Sequence, residues 1–172
     1  MNKTVTELQQ EFRQLRLAET AEELPKLLRQ AEQSSWTYQE FLEELTAFEL
    51  KKREAKSVEK RLKCARFPYI KSLSEFDIGT QQALTKRKLT QLEELQWLEQ
   101  HYNLILLGPP GVRKTFLALG LGLEAVNKGF HVSFVTMGDL LQLLKTQEYT
   151  HKSQVQLKHI QSADLVIIDD LM

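Results

Sequence analysis

The sequence predicts an all-α N-terminal domain followed by an α/β domain of the phosphate-binding-loop type with a parallel sheet, on three observations. From Thr4 to Arg66 there is no glycine and one proline, and apolar residues recur at helical spacing. After residue 100 three short apolar runs alternate with helical stretches, the pattern of parallel strands joined by right-handed crossovers. The first run leads into a glycine-rich loop and the third ends in paired aspartates.

In the first half, Leu8, Phe12 and Leu15 mark a helix over about 4–18, and a second is expected over about 21–33. Pro25 is tolerable there only near the first turn. Thr37-Tyr38-Gln39-Glu40 reads as a capping box, so a long helix starts at that point and carries Phe41, Leu42, Leu45 and Phe48. It stops near Phe67-Pro68, because the residue before proline is pushed out of the helical region. The expected domain boundaries are 1–67 for the helical domain, 68–100 for a linker and lead-in helix (residues 86–100), and 101–172 for the α/β domain.

In the second half, Asn103 to Leu107 is the first expected strand (104–107) and a helix over 115–127 follows its loop. His131 to Thr136 is the second strand, helices over 139–146 and 153–161 come next, and Leu165-Val166-Ile167-Ile168 is the third. Runs apolar at consecutive positions fit strands covered on both faces.

The chemistry is expected at the ends of the first and third strands. Residues 104–115, LILLGPPGVRKT, nearly match Gly, four free positions, Gly, Lys and Ser/Thr; Gly108, Lys114 and Thr115 fit, and Arg113 stands at the second glycine. Such a loop wraps backbone N–H groups around phosphate oxygens, here Gly108, Pro109, Pro110, Gly111, Val112 and Arg113 with Lys114 and Thr115. Lys114 supplies a point charge near the β and γ phosphates and the Thr115 hydroxyl a ligand for Mg²⁺. About fifty-five residues on, Asp169 is placed to contact Mg²⁺ and Asp170 to orient an attacking water. Arg113 is expected to weaken ATP binding: a side chain crowds the cradle, and φ above zero costs an ordinary residue about 1–2 kcal/mol.

Composition excludes other classes. With 42% hydrophobic and 27% charged residues the chain is neither disordered nor fibrous. No apolar run approaches the roughly 20 residues of a spanning helix, and residues 1–12 lack the core of a secretory signal, so a cytoplasmic location is expected. The single cysteine, Cys64, makes no internal disulfide and reads as a small buried residue. His101, His131, His151 and His159 show no metal-ligand spacing, and Trp36 and Trp97 read as packing residues. Net charge is zero, but Lys51, Lys52, Arg53, Lys56, Lys60, Arg61, Lys63 and Arg66 face only Glu54 and Glu59 in one helical stretch. That basic stripe is either a DNA contact or a solvated face.

The stretches QEFLEELTAFE (39–49), KRLKCARFPYIKSLSEFDI (60–78), NLILLGPPGVRKT (103–115), LGLEAVNKGFHVSFVTMGDLL (121–141) and ADLVIIDDL (163–171) resemble the IstB family over essentially the whole chain. These are ATP-binding helpers of bacterial insertion sequences, related to the DnaC helicase loaders. The resemblance implies an AAA+ ATPase with ATP and Mg²⁺ as cofactors, an ATP-dependent homo-oligomer on double-stranded DNA, and the transposase of the same element as partner. It also implies more sequence after the Asp-Asp motif, including a strand lying between the first and third. The expectation is therefore a truncated, catalytically impaired member, with a replicative helicase loader or a non-enzymatic remnant as the alternatives. Without the central strand, the first and third strands either pair directly or leave a gap with open edges.

Overall fold

A computed structural model describes residues 3–76 and 84–170, so the expected linker falls partly outside the described residues. Packing divides the chain into two compact units, Met1–Ser57 and Val58–Met172. The division lies within one long helix rather than at its end. Among the described residues no helix is long and apolar enough to cross a membrane.

The first unit holds helices α1 (Val5–Gln14), α2 (Ala18–Gln33) and the start of α3 (Tyr38–Ala65). Thr4 and Glu7 form a reciprocal capping box on α1, and Thr37 and Glu40 do the same on α3, with the Thr37 N–H donating to the Glu40 carboxylate at 2.7 Å. Leu24, Leu27 and Leu45 form the core, flanked by Leu8, Phe12, Leu28 and Phe41. Two expectations change here. The first helix ends at Gln14, with Arg16 left-handed at φ 61, and the second begins at Ala18, so Pro25 lies well inside it.

Proline removes the N–H that would bond the carbonyl of Ala21, four residues earlier. That carbonyl, on a fully buried residue, accepts instead from Gln9 Nε2 at 2.7 Å, so α1 supplies the missing donor. The start of α2 is also capped from outside. Leu17 provides no side-chain cap, and the buried Glu49 carboxylate of α3 accepts from the Thr20 N–H (3.2 Å) and hydroxyl (2.6 Å). Arg53 Nε donates to the other Glu49 oxygen at 2.7 Å.

The second unit takes in the end of α3, whose Val58, Leu62 and Ala65 join a core with Leu95, Leu98, Ala125, Val126, Val132 and Ile167. α3 stops at Ala65, with Arg66 left-handed before Phe67-Pro68, where the proline rule puts the end. A 3-10 turn at Leu73–Glu75 buries Leu73 beside Phe76, Leu89, Leu117 and Leu121, so this part of the expected linker is core. The single lead-in helix expected over 86–100 is two: α4 (Lys86–Glu93) and α5 (Gln96–Glu99), separated by left-handed Leu95 at φ 61. Leu95 is fully buried, and Trp97 Nε1 donates across the break to the Leu92 carbonyl at 3.0 Å.

Helix α6 (Lys114–Asn127) then leads to strand β1 (Val132–Thr136), helices α7 (Met137–Thr146) and α8 (His151–Gln161), and strand β2 (Leu165–Asp169). β1 and β2 pair in parallel in the register Val132 with Leu165 through Thr136 with Asp169. The expected strand at 104–107 is not one. It forms no strand ladder, and Ile105 and Leu107 stand 71% and 80% exposed. Strand geometry needs a partner; among the described residues β2 pairs only with β1 and nothing pairs with 104–107. Among the described residues the parallel sheet has two strands, so the expected choice for the first and third strands, direct pairing or a gap between them, does not arise.

Candidate nucleotide-binding site

The site is built where the loop before α6 meets the end of β2. Gly111 takes φ 84, which a side chain would strain, and Val112 folds back so that its Cγ2 lies 3.0 Å from where a Cβ on Gly108 would stand. Lys114 is the first residue of α6, and its ammonium bonds the carbonyls of Gly108 (2.8 Å) and Pro109 (2.9 Å). The lysine thus straps the loop into a curve around its own head group. An ammonium has three donors, so one remains for a ligand. The amides of the first turn of a helix lack intrahelical partners, and here that turn follows directly on the loop, at the positive end of a 14-residue helix.

Thr115, next along α6, donates its hydroxyl to Asp169 at 2.9 Å to Oδ2, across 54 residues of sequence. The fold thus joins the two motifs. Two hard oxygen ligands side by side suit Mg²⁺, which keeps several waters and takes its remaining ligands from substrate phosphates. Among the described residues no group of three or more His, Cys, Asp or Glu is arranged to hold a metal. Thr115, Asp169 and phosphate oxygens would therefore have to share the ion, and the residues present fit both nucleotide and metal. Bound there, Mg²⁺ would neutralise charge on the phosphates.

Arg113 and Asp170 complete the expected set. Arg113 stands immediately before α6 with φ 57 and ψ 33, the left-handed conformation whose need explains a glycine in the motif. Its side chain is exposed and bonds no other described residue, so the loop closes despite it. Asp170, just past β2, is also left-handed at φ 58 and exposed. Pro110 is exposed at the tip of the loop.

A family model described as IstB-like ATP binding protein matches residues 10–172. This chain belongs to that family. It is 39% identical over 170 residues to an insertion sequence IS21-like putative ATP-binding protein of Bacteroides fragilis, covering 99% of the chain and 65% of the relative. A second such protein, from Bacteroides fragilis strain YCH46, is 36% identical with 96% and 83% covered. The insertion sequence IS21 putative ATP-binding protein of Pseudomonas aeruginosa is 33% identical with 96% and 62% covered. The chain thus spans about two thirds of the length of the first relative.

Other side chains acquire structural roles that spacing did not reveal. His159 donates from Nε2 to the Cys64 carbonyl at 3.0 Å, capping the end of α3 from α8, and Cys64 itself is half-buried rather than buried. His131 and Asp164, each just before the start of one strand, tie the N-terminal ends of β1 and β2 together, with the His131 N–H donating to the carboxylate at 2.7 Å. Such tertiary caps join residues far apart in sequence, and no local pattern announces them.

Proposed function

We propose that this IstB-like chain is a helper protein of insertion-sequence transposition that binds Mg²⁺-ATP weakly through residues 108–115 and Asp169 and is impaired in hydrolysis. The observation that carries the reading is the Thr115–Asp169 hydrogen bond beside a loop strapped by Lys114. It brings both halves of the motif pair together in the order that phosphate and metal binding require. Lys114 is the phosphate cation, Thr115 and Asp169 the metal ligands, and Asp170 the carboxylate that orients water. Arg113 is the proposed lesion: its backbone takes up a glycine's conformation, and a side chain at this position of such a loop would obstruct the approach of phosphate to the main chain.

The proposed partners are double-stranded DNA, further copies of the chain and the transposase of the same element. For DNA, α3 offers fewer free cations than its sequence suggests. Arg53 is paired with Glu49, Lys56 with Glu19 and Lys63 with Glu59, while Arg61 donates to the Val126 carbonyl. Lys51, Lys60 and Arg66 remain exposed and unpaired among the described residues, and Lys52 lies over the Phe48 ring. These four are the proposed phosphate contacts. Lys51 and Lys52 lie on the first unit and Lys60 and Arg66 on the second, and the non-enzymatic reading keeps these contacts and denies the nucleotide.

Titration with a fluorescent ATP analogue, with Mg²⁺ and with EDTA, tests the reading. Weak binding that needs Mg²⁺ and disappears in both Lys114→Ala and Asp169→Asn is expected. Equal signal from Lys114→Ala and the unaltered chain would remove the site.

A further inference from the structure

We infer that Gly122, two turns beyond the loop, is a positioning residue for the metal site: its missing side chain lets α6 lie close enough to β2 for Thr115 to meet Asp169. The inference rests on the proposed nucleotide site. Its geometry can be tested without nucleotide.

Helix and strand periodicities match along this contact. Seven residues of α-helix fall about 20° short of two full turns, so Thr115 and Gly122 share one face of α6. Residues two apart on a strand share one face of the sheet, so Ile167 and Asp169 point the same way from β2. The helix face and the strand face meet at both positions. At one end Thr115 bonds Asp169 at 2.9 Å. At the other, a Cβ added at Gly122 would stand 2.7 Å from Ile167 Cδ1 and 2.9 Å from Phe67 Cζ, closer than carbon atoms pack.

The Ile167 side chain is confined by its neighbours. It is buried in the cluster formed by Leu95, Leu98, Val126 and Val132, with Phe67 packed against it. A methyl group at 122 is accommodated by moving α6 off the strand, and Thr115 is carried with it. A hydroxyl–carboxylate contact is lost over a few tenths of an ångström beyond its normal range. Gly120 provides the internal control. An added Cβ there would meet Leu73 Cδ2 at 2.3 Å, a tighter clash, but on a face of α6 turned away from Gly122 and Thr115.

Two measurements on the full chain test this. In the first, thermal melts of Thr115→Val, Asp169→Asn and the double variant give the coupling between the two groups. The melting shifts should be non-additive in the parent, become additive in a Gly122→Ala background, and stay non-additive in a Gly120→Ala background. Removing both obstructing groups in Gly122→Ala/Ile167→Val/Phe67→Leu should restore the coupling, and this variant serves if Gly122→Ala alone fails to fold. In the second, the Mg²⁺ concentration at half-maximal binding of the fluorescent ATP analogue should rise about tenfold in Gly122→Ala, the low end for loss of a group that orients a metal ligand. It should be unchanged in Gly120→Ala.

Coupling that survives in Gly122→Ala, that vanishes equally in Gly120→Ala, or that is missing from a folded Gly122→Ala/Ile167→Val/Phe67→Leu overturns the inference. If no variant binds nucleotide, the proposed function fails, and the melting cycle still decides the role of Gly122.

Discussion

Replacing Arg113 by glycine should tighten nucleotide binding at least tenfold, and the structure indicates where the gain comes from. Two terms are removed. The first is conformational: Arg113 sits at φ 57 and ψ 33, where a residue with a Cβ stands about 1–2 kcal/mol above the right-handed region. Glycine has no such penalty but loses more backbone freedom on folding, about 0.5–1 kcal/mol. The first outweighs the second by at most about 1.5 kcal/mol, so stability should stay level or rise slightly. No contact is lost either, since the exposed Arg113 side chain bonds no other described residue.

The second term appears only when ligand is present. On the proposed reading, a phosphate drawn toward the first-turn amides of α6 would have to pass the Cβ and chain of Arg113, and glycine would clear that approach. The favourable charge of arginine offsets part of the obstruction; a net gain of about 1.4 kcal/mol corresponds to tenfold in affinity. Arg113→Ala divides the two effects, because alanine keeps the Cβ and the left-handed cost while shedding the long chain. Titration of a fluorescent ATP analogue into the three proteins, with Lys114→Ala as the zero, should rank glycine above alanine above arginine. Equal dissociation constants for Arg113 and the Arg113→Gly variant would refute the assignment of Arg113 as the lesion.

Further outcomes are expected elsewhere in the chain. Glu49→Gln should destabilise the helical unit by about 1–3 kcal/mol in urea melts at pH 7, because the Thr20 and Arg53 donors lose a charged acceptor. Burial raises the Glu49 pKa, but hydrogen bonds from Thr20 and Arg53 outweigh it and hold the group below its usual 4.5. A depressed carboxylate stabilises above its unfolded pKa and loses that contribution as pH falls through the folded value, so the difference between parent and variant should be full at pH 7 and shrink below about 4.5. Gly120→Ala should cost about 1–3 kcal/mol in the same melts by driving a methyl into buried Leu73. Gel shifts on duplex DNA should weaken steeply with salt, with a log–log slope of about 0.9 per phosphate neutralised. That slope should fall on neutralising Lys51, Lys52, Lys60 and Arg66 but not Lys56 and Lys63, whose charges are already paired; a salt-independent shift would return the stripe to a solvated face.

What could be read in the sequence was whatever short-range rules determine. The Thr37–Glu40 capping box, the stop before Pro68, β1, β2 and the loop all depend on residues within a few positions of one another. Three features depended on distant partners. Pro25 looked confined to a first turn because the Gln9 amide that satisfies the freed Ala21 carbonyl lies in another helix. The lead-in helix broke at Leu95, which carries no local breaker signal, because burying that side chain and reaching the Leu92 carbonyl from Trp97 favoured the bend. The run at 104–107 has a strand's composition without a strand's partner, and composition cannot report on a neighbour. In the candidate site, the Thr115–Asp169 bond joins two motifs that spacing singles out, whereas the closeness of Gly122 to Ile167 appears only once a strand lies against the helix.

Backbone strain separates Arg113 from other residues of the same conformation. Seven described non-glycine residues have positive φ: Arg16, Ser35, Arg66, Leu95, His101, Arg113 and Asp170. Five of them follow the last turn of a helix, where the left-handed residue lets the chain bond back to free carbonyls. At Arg16 the next amide, Leu17, reaches the Phe12 carbonyl at 2.8 Å; at Ser35, Trp36 reaches Ala31 at 3.0 Å; at His101, Tyr102 reaches Trp97 at 2.8 Å. Those bonds offset the conformational cost. Asp170 is of a residue type that tolerates the region through its short polar side chain. Arg113 has neither compensation: it begins a helix instead of ending one, makes no side-chain cap, and is not Asn, Asp or Gly. Its cost is met by the strap from Lys114 and the bond from Thr115 to Asp169, which hold α6 and the loop in place around it. Removing the strap should therefore cost more with arginine at 113 than with glycine. Lys114→Ala should lower the melting temperature further in the parent than in Arg113→Gly, and equal losses in the two backgrounds would show that the loop holds Arg113 without strain.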